Sequence, residues 1–203
     1  MKQLVRDPVN LVVSGVGGQG NVMVSLVVGN ALVNDGYFVT IGETYGSSQR
    51  GGSVMSHVKI SAVKQYSPLI SEGQADIILG MEPGETLRML KQFGNSRVVT
   101  IVNPRQIHAI DITGGEGYTG TEKLLEMIEG LSAKTYVVNA TEEAQKMGNP
   151  ILANMILIGA LAKTGLLPIE EKSLDAVIRQ MFPKAVDVNR KALEVGMGLV
   201  GKR

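Results

Sequence analysis

The sequence predicts an α/β fold: a doubly wound, mostly parallel sheet with a helical extension at its C-terminal end. Three observations carry this. Continuous apolar runs at Leu11 to Ser14, Ala75 to Met81 and Arg97 to Val102 read as strands buried on both faces. Stretches with helical spacing of apolar residues alternate with them. After Val138 the strand patterns stop and only helical ones remain. With 203 residues and no internal repeat, low-complexity tract or linker, the chain reads as a single domain over 1–203.

The first strand, Leu11 to Ser14, runs into Gly15-Val16-Gly17-Gly18-Gln19-Gly20. Strand, glycine turn and helix in that order are the pattern of a phosphate-cradling βα unit. Gly15 permits a tight turn, Gly17 lets a ligand or another backbone come close, and Gly20 lets the helix pack on the strand. The first helical turn, with its unpaired N–H groups and its dipole, favours an anion. Many βα turns carry glycine only to pack, and the spacing alone does not separate the two uses. The helix itself runs from Asn21 to Asn34 and ends at Asp35-Gly36, glycine being the common C-terminal cap.

Tyr37 to Ile41 is the second strand. Gly42 to Gly52 reads as a polar loop, because it holds four glycines, yet it carries Glu43, Tyr45, Ser47, Ser48, Gln49 and Arg50. A loop after a strand, at the end of the sheet where the first glycine turn emerges, is where open α/β folds bind ligands. Val54 to Ile60 alternates and reads as a half-buried strand, edge or antiparallel, with His57 beside the loop or in solvent.

Glu82-Pro83 opens a helix to about Phe93, proline suiting a first helical turn. Asn103-Pro104 stops the strand that follows, and Gln106 to Gly120 reads as a long loop or weak hairpin. Thr121 to Gly130 is an amphipathic helix with Leu124, Leu125 and Ile128 inward, and Thr135 to Val138 is the last strand. Thr141 caps a helix with Glu142 and Glu143 in its first turn. After the break at Gly148-Asn149-Pro150, the helix Ile151 to Thr164 is nearly all apolar, so it needs burial on most sides, by its own fold or by another subunit. Asn154 within it needs a hydrogen-bond partner. Two helices close the chain, one from Pro168-Ile169 to Met181-Phe182 and one from Pro183 through Val195.

Composition narrows the function. A formal net charge of +1 without a polybasic run gives no sign of a nucleic-acid or membrane-surface partner. With no cysteine, this chain holds no iron–sulfur cluster on thiolates, forms no disulfide and has no thiol nucleophile. Its two histidines, His57 and His108, lack zinc-site spacing, so no metal site is expected. No secretory leader or membrane-spanning run is legible, which points to the cytoplasm.

Three classes of function stay open at this point. One is a stand-alone NAD-dependent dehydrogenase or nucleotide-binding module built on the glycine turn. Glu43 lies 23 positions after Gly20 and stands roughly where a ribose-binding acid belongs. A hydrolase is weaker, since Gly-x-Ser-x-Gly is absent. The third is a non-catalytic subunit that completes a site held by a partner chain.

Gly15-Val16-Gly17-Gly18-Gln19-Gly20, followed by Tyr45-Gly46-Ser47-Ser48-Gln49-Arg50-Gly51-Gly52-Ser53-Val54, resembles the gamma-type subunit of 2-oxoacid:ferredoxin oxidoreductases. Ser48 to Val54 with Ser56-His57-Val58 looks most like the indolepyruvate branch, where this piece is called the beta subunit; Asn154 and Gly159-Ala160-Leu161 resemble the family's C-terminal helix. That branch usually has His-Gly where this chain has Tyr45-Gly46, which leaves the choice of 2-oxoacid open.

The resemblance implies a Rossmann-like gamma-type domain in an enzyme that oxidatively decarboxylates a 2-oxoacid, joins the acyl group to coenzyme A and passes two electrons to ferredoxin. It implies thiamine diphosphate and iron–sulfur clusters in partner subunits, a hetero-oligomer, coenzyme A at the interface and an anaerobic setting. No catalytic residue is expected here. The residues expected to face a cofactor or the partner are Gly15, Gly17, Gly18, Gln19, Gly20, Glu43, Tyr45, Ser47, Ser48, Gln49, Arg50, Gly51 and Gly52. Arg50, with a planar fork suited to phosphate or carboxylate, is the foremost of them.

Overall fold

The computed structural model describes residues 3–45, 52–107 and 119–201. The first unit is a strand, β1 (Val9–Val16), the glycine turn, and a helix, α1 (Asn21–Asn34). Then come β2 (Phe38–Tyr45), β3 (Ser53–Ser61), β4 (Ile77–Gly80), α2 (Pro83–Phe93) and β5 (Val99–Val102). After α3 (Thr121–Leu131), β6 (Lys134–Val137) and α4 (Ala140–Lys146), a 3-10 turn at Pro150–Leu152 leads into α5 (Ala153–Thr164), α6 (Glu171–Met181) and α7 (Val186–Leu199).

The strands form one six-stranded sheet in the order β2-β3-β1-β4-β5-β6. Strands β1, β4, β5 and β6 run parallel, while β3 is antiparallel to both β1 and β2. Val54 to Ile60 is therefore the antiparallel strand of the sequence reading, but it lies between two strands rather than at an edge.

Side-chain alternation divides the core into two layers. Leu11 and Val13 of β1, with Val58 and Ile60 of β3, face α1 and the C-terminal helices. Val12 and Ile78 face α2 and α3, among Leu87, Leu90, Leu124 and Ile128. The C-terminal helices complete one of the two layers, so the helical extension is part of the core.

Residues Ala153 to Leu161 of α5 are all buried, and the cover comes from the same chain. Glycines make the fit possible. A Cβ at Gly159 would lie 2.1 Å from the Leu193 carbonyl oxygen, and one at Gly196 would lie 1.9 Å from that of Ile156. Helices α5 and α7 thus meet backbone to backbone. Among the described residues, no helix is long and apolar enough to cross a membrane.

Candidate functional site

The glycine turn and the polar stretch of the sequence reading do share one end of the sheet. Val16 pairs with Ser53, Gly15 with Val54, and Val54 in turn with Tyr45. The Gly17 N–H donates to the Gly52 carbonyl at 2.7 Å. Ser47, Ser48, Gln49, Arg50 and Gly51 lie outside the described residues.

Glu43 and Tyr45 belong to β2, not to a loop. Glu43 is half-buried in the strand, opposite Ser56. Gly42 misled the reading because it is a packing glycine: a Cβ there would sit 2.7 Å from the Pro68 side chain. His57 is also corrected. It is buried in β3, its Nδ1 accepts from the Ile70 N–H at 3.3 Å, and its ring meets Phe93 edge-on at 5.2 Å. Burial, and then Lys59, hold its pKa below the usual value, so the imidazole is neutral.

Gly15, Gly17 and Gly20 each meet a neighbour in the chain itself, while a Cβ at Gly18 would meet nothing within 4 Å. The Gln19 side chain folds back over the turn. Its Oε1 accepts the Val16 N–H at 2.6 Å and its Nε2 donates to the Met81 carbonyl at 3.1 Å. A Cβ at Gly15 would meet that same Oε1 at 2.6 Å. Gly20 has φ +89°, in the left-handed region, and a Cβ there would lie 2.5 Å from Asn154 Nδ2. That amide donates to the Gln19 carbonyl at 2.8 Å, so Asn154 finds its partner inside the fold.

Beside the turn, at the C-terminal ends of β1, β4 and β5, opens a cleft of about 570 Å³. Its size is ordinary for a small-molecule site, and its place is where open α/β sheets bind ligands. Asn103 knits the floor together. Its Nδ2 donates to the Met81 carbonyl at 3.1 Å and to Thr141 Oγ1 at 2.9 Å, and its Oδ1 accepts the Thr141 N–H at 3.2 Å. The Met81 carbonyl thus receives both Gln19 and Asn103. Gly18, Gln19 and Gly20 form one wall, while Met23, Ile107, Ile151 and Phe182 supply apolar surface. Ile151 and Ile107 remain exposed, and so does Arg105.

Glu82, at the end of β4, caps α2 by accepting the Glu85 N–H at 2.7 Å. Burial raises its pKa, and main-chain donors from Glu85, Gly84 and Ile107 oppose the shift. A larger cavity of about 780 Å³ runs along β6 and the end of α7, but no residue of the glycine turn lines it.

Sequence reasoning missed the cleft residues Asn103, Arg105 and Gln145, and it took Thr141 for a helix cap. The cap position is Asn139, and Thr141 lies inside α4, where it serves the floor. The usable signal was position: Asn103-Pro104-Arg105 directly follows a buried strand, and strand C-termini are where such sheets place their ligand groups. Among the described residues, no cluster of His, Cys, Asp or Glu could hold a metal ion.

Residues 10–199 match the family model described as pyruvate ferredoxin/flavodoxin oxidoreductase. The chain belongs to that family. Within this oxidoreductase family it is similar to the indolepyruvate oxidoreductase subunit IorB of Archaeoglobus fulgidus, with 37% identity over 189 residues covering 92% of each chain. Its fold matches the gamma subunit of a keto/oxoacid ferredoxin oxidoreductase from Geobacter sulfurreducens, at TM-score 0.67 and 22% identity over 94% of this chain and 97% of that one. It also matches the 2-oxoglutarate:ferredoxin oxidoreductase of Magnetococcus marinus, solved with 2-oxoglutarate, coenzyme A and succinyl-CoA bound. There the TM-score is 0.73 at 23% identity, over 96% of this chain but 31% of that one, so the same fold recurs inside a longer polypeptide. The dehydrogenase alternative finds no support in these relatives.

Proposed function

We propose that this chain is the cluster-free small subunit of a 2-oxoacid:ferredoxin oxidoreductase acting on indolepyruvate or a related arylpyruvate. The observation that carries the reading is the full-length similarity to indolepyruvate oxidoreductase subunits. The absence of cysteine agrees with it: thiolate-held clusters and thiamine diphosphate belong to partner subunits, and ferredoxin meets the complex rather than this chain. Thiamine diphosphate, bound by the partner, supplies the carbanion stabilisation that decarboxylation needs.

The contribution of this chain is a wall. The cleft has a polar floor whose hydrogen bonds are made internally, an open main-chain edge at Gly18 to Gly20, and an exposed arginine. Those features fit the phosphate-bearing, partly apolar shape of coenzyme A, with Arg105 as a cation toward phosphate and Met23 and Ile107 against the thiol-bearing arm. The exposed Ile151 and Ile107 at the rim would then be covered by the partner, excluding water from the thiol transfer. In this reading Glu43, Tyr45, Ser47, Ser48, Gln49, Arg50, Gly51 and Gly52 are the further residues offered to the partner or to coenzyme A.

Affinity purification of the chain from its native source, with mass spectrometry of what comes with it, tests the proposal. A companion rich in cysteine at ferredoxin-like spacing, and turnover of indolepyruvate only in the joint preparation with coenzyme A and ferredoxin, is the expected result. Purification without any cluster-bearing companion, or turnover by the isolated chain given thiamine diphosphate and an electron acceptor, would overturn it.

A further inference from the structure

We propose that Gln19 is the glycine turn's own occupant: its carboxamide fills the inner face of the turn, over the Val16 N–H, and so closes that face to anions while the outer edge at Gly18 to Gly20 stays open to the cleft. The first argument is room. A phosphate held against the inner face of such a turn needs open space over the strand end and the turn backbone. Here that space is filled, because the Gln19 Oε1 lies 2.6 Å from the place a Gly15 side chain would take. Gly15 is thus explained by the side chain that folds over it.

The second argument is donors. Anion sites of this kind work by aiming unpaired main-chain N–H groups at the ligand. The Val16 N–H is bonded to Gln19 Oε1 at 2.6 Å, and the Gly17 N–H to the Gly52 carbonyl at 2.7 Å. The carboxamide oxygen, the negative end of a dipole, does what a phosphate oxygen would do. A phosphate entering here would have to displace both acceptors and strand the Gln19 amide away from Met81, and polar groups left unpaired in a fold are costly.

The third argument is anchorage. Gln19 is tied through every polar group it has. Its N–H donates to the Val16 carbonyl at 3.0 Å, its carbonyl accepts from Asn154, and its side chain reaches Val16 and Met81. The residue therefore staples β1, β4 and α5 together. A turn held this way presents a fixed outer surface at Gly18 to Gly20 to the cleft while rejecting mononucleotide and dinucleotide phosphates at its inner face. Gln19 is in this sense a specificity residue, and the inference concerns the chain alone, whatever its partner.

The test is an amide NMR titration of the full chain with inorganic phosphate, ADP and NAD. In the wild-type chain the Val16 and Gly17 amide signals should stay in place through millimolar ligand; saturable shifts there at micromolar ADP or NAD would overturn the proposal. Gln19→Ala should open the turn and bind phosphate about tenfold more tightly than wild type or better, with the Val16 amide shifting. A folded Gln19→Ala chain as blind to phosphate as the wild type would refute the closing role. Gln19→Glu keeps an acceptor over Val16 and adds negative charge, so it should remain closed; phosphate binding by Gln19→Glu counts against the proposal. Should Gln19→Ala not fold, the wild-type and Gln19→Glu titrations decide.

Discussion

One methyl group at Gly196 should push two helices apart. A Cβ there would lie 1.9 Å from the Ile156 oxygen, 2.7 Å from the Ile156 carbonyl carbon and 3.0 Å from the Ala160 nitrogen. All three are backbone atoms of α5, so no side chain can swing aside to make room. Restoring contacts of roughly 3.5 Å requires a local separation of about 1.5 Å, and gaps of even 0.5–1 Å forfeit about a quarter to a half of each dispersion contact. Overpacking costs roughly 1–3 kcal/mol, and a rigid neighbour places Gly196→Ala near the top of that range. Alanine's helix propensity returns about 1 kcal/mol. The expected net loss is about 2 kcal/mol, a fall in Tm of about 4–8 °C for a chain of this size. Gly198, two residues on in α7, has nothing within 4 Å of its would-be Cβ. There the same substitution should be neutral or stabilising by up to about 1 kcal/mol. Urea and thermal melts followed by circular dichroism measure both. If Gly196→Ala melts at or above the wild type, α5 and α7 do not meet as described.

Acid should weaken the fold through His57. Its folded pKa is lowered by burial, so the unfolded chain, with the usual value of 6.5, binds the proton more readily. The stability from the neutral ring is whole above pH 6.5 and declines as the pH falls below that value toward the folded pKa. Urea melts across that range should show a shallower decline in His57→Gln; matching profiles would remove His57 as the cause. Arg50→Ala should leave the isolated chain's Tm nearly unchanged if the polar, glycine-flanked run that holds it keeps it out of the core, as its sequence indicates. In the reconstituted complex it should lower coenzyme A-dependent turnover or subunit affinity by about 1.5–3 kcal/mol, and Arg50→Lys should also be impaired because the fork is lost. Wild-type assembly and turnover by Arg50→Ala would reduce the arginine to a surface charge. The isolated chain should be colourless and free of iron by elemental analysis, since it has no thiolate to offer; stoichiometric iron would contradict this.

Local signals are legible in this sequence and long-range ones are not. The bounds of α1 follow from the glycines before it and Asp35-Gly36 after it, and α2 from Glu82-Pro83, all within a few residues of the ends they mark. The polar run after Ile41 reads as loop, because a glycine that makes way for Pro68 looks the same in sequence as one that makes a turn. The sequence places His57 beside the loop or in solvent because alternation in β3 indicates one covered face. In the fold the Ile70 segment and Phe93 of α2 cover the other face at His57. The apolar character of α5 foretold its burial but not its cover, which depends on Gly159 and Gly196 meeting across the chain. The cleft was the least legible feature. Its floor joins Met81, Asn103 and Thr141 from three segments, and no spacing rule links them.

The bond from Asn154 to the Gln19 carbonyl spans 135 positions, and Glu170 and Ser173 reach Asp35 over 135 and 138. These contacts set an order of events during synthesis. Strand β1, its turn and α1 leave the ribosome early, but Asn154, which latches the Gln19 carbonyl, follows more than a hundred positions later. Contacts between distant segments form late, because the loop between them must be closed first. Until α5 and α6 arrive, the nascent first unit carries an unlatched turn and an α1 face without its cover, a state in which exposed apolar surface invites association with other chains. The last third of the polypeptide therefore acts on the first third much as a chaperone would, and protection of the Glu170 amide, whose acceptor is Asp35, should trail that of the β4 amides in pulse-labelled hydrogen exchange.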